Sequence, residues 1–77
     1  MQVKIIFFGQ LTDITGNDTV AVENISDTDG LVMEINKLYP AMSGVKYIIA
    51  VDKRLIQENT VISETSNVAL LPPFSGG

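Results

Sequence analysis

The residues with the clearest chemical potential are Gly76 and Gly77, which present a carboxylate with no side chain nearby. Such an end can enter a narrow active-site channel, and glycine adopts backbone angles that other residues avoid. ATP can activate a carboxylate of this kind as an acyl-adenylate, which a sulfur or amine nucleophile then captures. The alternative is that Ser75, Gly76 and Gly77 form an inert end, since termini are commonly disordered.

The composition argues against an enzyme that works alone. The chain has 77 residues, which is enough for one small domain, and it contains no cysteine and no histidine. These absences exclude a thiolate zinc site and a cysteine nucleophile, and they remove the commonest general base. We therefore expect no metal site, no cofactor bound by this chain and no enzyme that works alone.

Charge and hydropathy restrict the partners and the location. The net charge is −4 and the isoelectric point is near 4.4, which fits neither nucleic acid nor an anionic membrane surface. No apolar stretch approaches the ~20 residues that span a bilayer, and the N-terminus lacks a signal-peptide pattern. These features predict a soluble, cytoplasmic protein.

Five segments have the alternation or the β-branched and aromatic content typical of strands. They are Gln2–Phe8, Thr19–Glu23, Lys46–Val51, Arg54–Gln57 and Val68–Leu71. In the first of them, Val3, Ile5 and Phe7 are expected to face the core. The polar stretch from residue 58 to residue 67 is predicted to be a loop in which Val61 and Ile62 point inward.

One amphipathic helix is predicted between the second and third strands. Its candidate caps lie in the run Ser26-Asp27-Thr28-Asp29, and Pro40 ends it, because the residue before a proline avoids helical angles. Its predicted core positions recur at helical spacing and are Leu31, Val32, Ile35, Leu38, Tyr39 and Met42.

The order strand, strand, helix, strand, strand, strand predicts an α+β fold with one helix on one face of a mixed five-stranded sheet. The first and last strands are expected to lie parallel at the centre. This is the ubiquitin-like β-grasp architecture. It implies a β-grasp domain over residues 1–71 and a flexible tail over residues 72–77.

Three segments resemble the small subunit of molybdopterin synthase, in the MoaD/ThiS β-grasp family. They are Val3-Lys4-Ile5-Ile6-Phe7-Phe8-Gly9, Ile49-Ala50-Val51-Asp52-Lys53-Arg54-Leu55-Ile56 and Val68-Ala69-Leu70-Leu71-Pro72-Pro73-Phe74-Ser75-Gly76-Gly77. Two prolines, one apolar residue, one small residue and two glycines are more specific than Gly-Gly alone. The chain departs from the family at Asp52, often asparagine there, near Thr12, and at residues 64–67.

The resemblance implies a sulfur carrier that is a non-catalytic subunit of a heteromeric synthase. A partner enzyme of the ubiquitin-activating type would use ATP to adenylate Gly77, and sulfur would then give a C-terminal thiocarboxylate. The charged tail would deliver sulfur to cyclic pyranopterin monophosphate on the large synthase subunit, which carries the catalytic side chains. The implied assembly is a heterotetramer of two small and two large subunits.

The candidate partner-binding residues lie at the tail and on the sheet face away from the helix. In the tail they are Pro72, Pro73, Phe74 and Ser75, and Phe74 is expected to anchor the tail in a partner groove. On the sheet, Phe8, Leu55 and Leu71 are expected to form an exposed apolar patch together with Ile6, as protein interfaces often do. The alternative is that twist and loops cover these side chains.

Three other functions share the fold or the end of the chain. A thiamine-pathway sulfur carrier also ends in Gly-Gly, although Pro72-Pro73 argues against it. A ubiquitin-like modifier would join Gly77 to lysines of other proteins. A binding module with an inert end would function unchanged if Gly77 were replaced.

Overall fold

The first strand has the buried face that its alternation predicts, with Val3, Ile5 and Phe7 almost fully buried. The computed structural model describes residues 2–73. Its strands are β1 (Gln2–Phe7), β2 (Thr19–Glu23), β3 (Ile48–Val51), β4 (Arg54–Ile56) and β5 (Val68–Leu71). Its helices are α1 (Gln10–Thr15) and α2 (Thr28–Leu38), and a 3₁₀ segment spans Pro40–Gly44.

The five strands form one mixed sheet in the order β2-β1-β5-β3-β4. β1 and β5 are parallel neighbours, whereas the pairs β1–β2, β3–β4 and β3–β5 are antiparallel. The predicted central position of the first and last strands is therefore correct. Parallel neighbours bring their C-terminal ends to the same edge of a sheet, so the exit of β5 lies beside the end of β1.

The core lies between the sheet and α2. Leu31 and Ile35 on the helix are fully buried and belong to one cluster with Ile5 and Leu70 from the two central strands. Burying a side chain of this size stabilises the fold by about 1.5–3 kcal/mol. Within residues 2–73, no helix covers the opposite face of the sheet.

The first turn of α2 accepts support from two side chains, one just before the helix and one in the loop after β4. The Asp27 Oδ1 atom accepts a hydrogen bond from the Gly30 N–H at 2.9 Å, which makes Asp27 the N-cap. Asn59 then uses its Oδ1 to accept from the Asp29 N–H at 2.9 Å, and its Nδ2 donates to the Asp27 Oδ2 atom at 3.2 Å. The loop after β4 is thereby fastened to the helix, because two otherwise free amides are satisfied.

The predicted core stripe of the helix is wrong at Leu38, which is about half exposed. The helix ends at Leu38 because Pro40 cannot continue it, and Pro40 instead starts the 3₁₀ segment. That segment returns Met42 to the core, where it is buried. Tyr39 is half-buried and packs edge-to-face on Phe7, with ring centroids 5.8 Å apart.

The loop after β4 corrects a second expectation. Ile62 is buried as predicted, but Val61 is 80% exposed. Val61 forms a bridge with Asp27, and the Ile62 N–H donates to the Ser26 oxygen at 2.8 Å. Successive side chains of extended backbone point to opposite sides, so only one of the two can reach the core. The first, third and fourth strands are also shorter than predicted, since Phe8, residues 46–47 and Gln57 lie outside them.

Candidate functional site

The base of the C-terminal segment is fixed against the end of β1. The Phe8 N–H donates to the Leu70 oxygen at 3.0 Å, which extends the parallel β1–β5 pairing by one bond. Pro72 follows β5 directly and is half-buried, and Pro73 is exposed. The chain therefore leaves the domain at the edge of the sheet where β1 ends.

Gly9 provides the surface on which Pro72 rests. A Cβ atom built on Gly9 would lie 2.9 Å from Cγ and 3.4 Å from Cδ of Pro72. Gly9 also has φ 59° and ψ −138°, a backbone conformation that costs other residues free energy. The sequence identified Gly9 only as the end of a strand. Its contact with Pro72 depends on the parallel pairing of β1 with β5, which joins residues far apart in the chain.

An apolar row crosses the sheet face that α2 does not cover. The register pairs Ile6 of β1 with Ala69 of β5, Ala69 with Ala50 of β3, and Ala50 with Leu55 of β4. Paired residues share a sheet face, so these four side chains lie in one row. The two alanines form a low central floor, and the larger side chains of Ile6 and Leu55 stand at its ends.

A second group of side chains lies beside this row on the side of the chain's exit. Leu71 pairs with Ile48, and Phe8 follows Ile6 by two residues along β1. The exposed fractions are 36% for Ile6, 46% for Phe8 and 57% for Leu55. We name this surface the outer apolar face, and its residues are Ile6, Phe8, Ile48, Ala50, Leu55, Ala69 and Leu71.

Charged side chains lie at the borders of the outer apolar face. Lys4 is exposed and precedes Ile6 by two residues on the same side of β1. Lys53 is exposed in the turn that leads into β4, close to Leu55. An apolar centre with a polar border is the usual composition of a protein interface. The arrangement favours contact with a partner whose matching surface has acidic groups at its border.

A groove of about 530 Å³ lies on the other side of the exit, between α2 and β3. Pro73 lines it together with Val32, Val45 and Tyr47. Burial raises the pKa of the Tyr47 hydroxyl above its ordinary value, so this group is protonated at neutral pH. The base of the tail is thus bordered by the groove on one side and by the outer apolar face on the other.

The predicted site residues fall into three groups. Phe8, Leu71 and Pro72 lie together around the exit, with Pro73 beside them, whereas Leu55 lies two strands away from β5 on the edge strand. The expectations for the tail beyond Pro73 lie outside the described residues; they concern Phe74, Ser75, Gly76 and Gly77. Ile48, Ala50 and Ala69 were not predicted as site residues from the sequence. The period of two in β3 and β5 is the signal that would have included them.

Two further observations concern the part of the chain from residue 2 to residue 73. It contains no group of three or more acidic side chains arranged to hold a metal ion. None of its helices has both the length and the apolar character needed to cross a membrane.

Curated relatives match the chain over nearly its whole length. The molybdopterin synthase sulfur carrier subunit of Caenorhabditis briggsae is 30% identical over 83 residues, which covers 100% of this chain and 99% of the relative. The protein of the same name from Dictyostelium discoideum is 28% identical over 83 residues, covering 99% of this chain and 96% of the relative. The similarity thus includes both the β-grasp domain and the tail.

Solved structures share the fold. A complex of subunits 1 and 2 of molybdopterin-converting factor from Helicobacter pylori contains a chain that is 26% identical, with a TM-score of 0.73 and 100% coverage of both chains. Small archaeal modifier protein 1 from Haloferax volcanii has a TM-score of 0.81 at 18% identity, covering 95% of this chain and 98% of that protein. The ubiquitin-like fold predicted from the sequence is confirmed.

The family assignment agrees with the strand order and with the position of the exit. The model of the ThiS family matches residues 5–77, which include all of β5 and the Gly-Gly end. The chain therefore belongs to the ThiS family.

Proposed function

We propose that this chain is the sulfur carrier subunit of a molybdopterin synthase. The observation that carries the proposal is the position of the exit, because a segment ending in Gly76-Gly77 leaves the domain beside the outer apolar face. A carrier needs both a surface for docking and a reactive end within reach of the partner's active site. The names of the relatives from Caenorhabditis briggsae and Dictyostelium discoideum support this function.

The chemistry takes place at the terminal carboxylate. A partner enzyme of the ubiquitin-activating type joins the Gly77 carboxylate to the AMP part of ATP, and pyrophosphate leaves. Hydrosulfide from a sulfur donor then attacks the acyl carbon and displaces AMP, which leaves a thiocarboxylate on Gly77. The large synthase subunit transfers that sulfur to cyclic pyranopterin monophosphate. Each tail carries one sulfur and a dithiolene contains two, so two deliveries complete the product.

The outer apolar face is the proposed docking surface for the large subunit. The solved Helicobacter pylori structure is a complex of subunits 1 and 2 of molybdopterin-converting factor, which supports a large subunit as the partner. Burying Leu55 and Phe8 would remove two of the largest exposed apolar side chains from water. The exposed Lys4 and Lys53 would then meet acidic groups at the border of that subunit.

The tail has the length to reach a recessed active site. Residues 72–77 span at most about 20 Å when extended. Pro72 and Pro73 restrict the backbone at the base, which lowers the entropy lost when the tail enters a channel. Phe74 supplies an aromatic anchor, and Gly76 and Gly77 allow the carboxylate to approach the partner's catalytic groups closely.

The test uses the absence of cysteine from the sequence. The chain is incubated with ATP, a sulfur donor and the activating enzyme of its host, and is then treated with a thiol-alkylating reagent. We expect a single alkyl adduct that fragment masses place on Gly77. A second portion of the loaded chain, left without alkylation, should then convert cyclic pyranopterin to molybdopterin when the large subunit is added.

Two results would overturn the proposal. The first is no adduct under conditions in which the activating enzyme loads a known carrier. The second is a loaded chain that supports thiazole formation but no molybdopterin formation, which would assign it to the thiamine pathway. Isopeptide conjugates between Gly77 and lysines would favour a protein modifier, a function found in the name of the Haloferax volcanii protein that shares the fold.

A further inference from the structure

We propose that Gly9 is a positioning residue that sets the direction in which the C-terminal tail leaves the domain. Its importance for sulfur transfer rests on the proposed function, but its effect on the tail does not. Gly9 lies just after β1, and a Cβ atom added to it would meet the ring of Pro72 at the base of the tail.

Gly9 and Pro72 are in close contact. A Cβ atom on Gly9 would lie 2.9 Å from Cγ of Pro72, a separation that real Cβ atoms do not tolerate. The ring of Pro72 therefore rests directly on the Gly9 backbone. Any side chain at position 9 would force either Gly9 or Pro72 to move.

Gly9 has less freedom to move than Pro72. The Gly9 oxygen accepts from the Thr12 N–H at 3.1 Å and from the Thr12 Oγ1 hydroxyl at 2.8 Å. The neighbouring Phe8 N–H donates to the Leu70 oxygen, and Leu11 is fully buried. Bonds and burial on both sides thus hold Gly9 in place, so an added Cβ displaces Pro72.

A movement of Pro72 also changes the direction of the chain that follows it. Proline fixes its own φ angle near −65°, and Pro73 follows Pro72 directly, so a rotation at Pro72 also turns Pro73. A fully extended segment of six residues spans about 20 Å, so a tilt of roughly 20° at its base would move its far end by up to about 7 Å. A displacement of that size would take the reactive atom out of a catalytic site, where about 1 Å matters.

Spin labels can measure the direction of the tail without any assay of function. One label is attached to a Ser75→Cys substitution and the second to Lys37→Cys on the exposed side of α2, in a sequence with no other cysteine. We expect Gly9→Ala to shift the mean distance between the labels by about 5 Å or to broaden its distribution clearly. An unchanged distribution would overturn the inference.

A control separates the contact from backbone strain. Gly16 also has a positive φ angle, of 77°, but a Cβ there would meet nothing within 4 Å. We expect Gly16→Ala to leave the label distance unchanged. A shift of equal size in both variants would contradict a specific role for Gly9.

A double-mutant cycle distinguishes the contact between Gly9 and Pro72 from a general effect of Gly9→Ala on folding. Pro72→Ala removes the two ring atoms that the added Cβ would approach, so Gly9→Ala should have no further effect on the distance in that background. A shift that persists in full would overturn the inference. Pro72→Ala alone should broaden the distribution of label distances more than Pro73→Ala, because Pro72 is the proline in contact with Gly9. Equal broadening in these two variants would count against the inference. This comparison can be made even if the Gly9→Ala protein cannot be purified.

Sulfur transfer provides a separate readout. Gly9→Ala leaves the outer apolar face intact, so we expect kcat for transfer to fall about tenfold or more with little change in KM for the carrier. Transfer by Gly9→Ala at the wild-type kcat would refute the link to catalysis. A wild-type chain that never acquires sulfur would refute the proposed function instead, and the label distances would still decide the role of Gly9.

Discussion

Ile6 on β1 and Leu55 on β4 lie at opposite ends of one row across the sheet, separated by the small side chains of Ala69 and Ala50. Three steps between neighbouring strands separate them, which corresponds to roughly 14 Å. The outer apolar face is consequently low in the middle and higher at its ends. A partner that inserts an apolar side chain above the two alanines would contact all four residues.

We expect Leu55→Asp to weaken binding to the large synthase subunit at least tenfold, which corresponds to about 1.4 kcal/mol. The change removes apolar contact and places a carboxylate in the interface, whereas Leu55 is 57% exposed in the free chain and contributes little to its stability. Isothermal titration calorimetry measures the affinity, and thermal unfolding checks the fold. Met33→Asp is the matched control, since Met33 is 66% exposed on α2, away from the outer apolar face. Equal loss in both variants would contradict the assigned docking surface.

Ala69→Phe tests the shape of the face separately from its hydrophobicity. The change adds apolar area at the centre of the sheet, and phenylalanine suits strands, so stability should be kept or slightly raised. Binding to the large subunit should still fall about tenfold, because the new ring fills the space above the alanine floor. Stronger binding would mean that the partner recognises the apolar area of this face and not its shape.

One alanine added after Gly77 should abolish thiocarboxylate formation and leave the domain folded. The extra residue moves the carboxylate away from the activated phosphate of ATP and places a methyl group in a channel suited to glycine. Alkylation followed by mass measurement detects the loss of thiocarboxylate formation, and circular dichroism checks the fold. Loading of the extended chain at the wild-type rate would contradict the requirement for a terminal Gly76-Gly77.

The sheet was predictable from the sequence because each strand carries its own local pattern. Alternation in β1 identified Val3, Ile5 and Phe7 as core, and a single amphipathic helix left one sheet face uncovered. Leu38 could not be placed in the same way. Helical spacing describes an ideal helix, whereas the burial of its last turn depends on where the chain goes after Pro40.

The candidate site was predictable only in part, because it depends on pairing across the sheet. Phe8 and Leu71 were predicted as site residues because each lies next to the tail or at the end of a strand with a clear pattern. Ala50 and Ala69 are small and carry no chemical signal, and their role becomes visible only when the register places them between Ile6 and Leu55. The contact of Gly9 with Pro72 likewise requires the parallel β1–β5 pair.

Asn59→Ala should lower the free energy of unfolding by about 1–2 kcal/mol. The change removes the acceptor for the Asp29 N–H and the donor to the Asp27 Oδ2 atom, which together fasten the loop after β4 to the start of α2. For a domain of this size, the melting temperature should fall by roughly 4–8 °C for each kcal/mol. Glu58→Ala is the control, since Glu58 is the exposed neighbour of Asn59. Equal melting temperatures for the two variants would show that the loop is held by other contacts.

Lys53→Gly should raise the free energy of unfolding by about 0.5–1 kcal/mol. Asp52 and Lys53 form the turn between β3 and β4 and both have positive φ angles, of 51° and 69°. A two-residue turn with positive φ at both positions favours glycine at the second, where lysine is strained. Asp52→Gly is the informative control. It relieves the same strain but loses the bond in which the Asn67 N–H donates to the Asp52 Oδ1 atom at 2.9 Å, so its gain should be smaller or absent. Chemical denaturation of the three proteins measures the order, and a larger gain for Asp52→Gly would mean that this hydrogen bond contributes little to the stability of the hairpin.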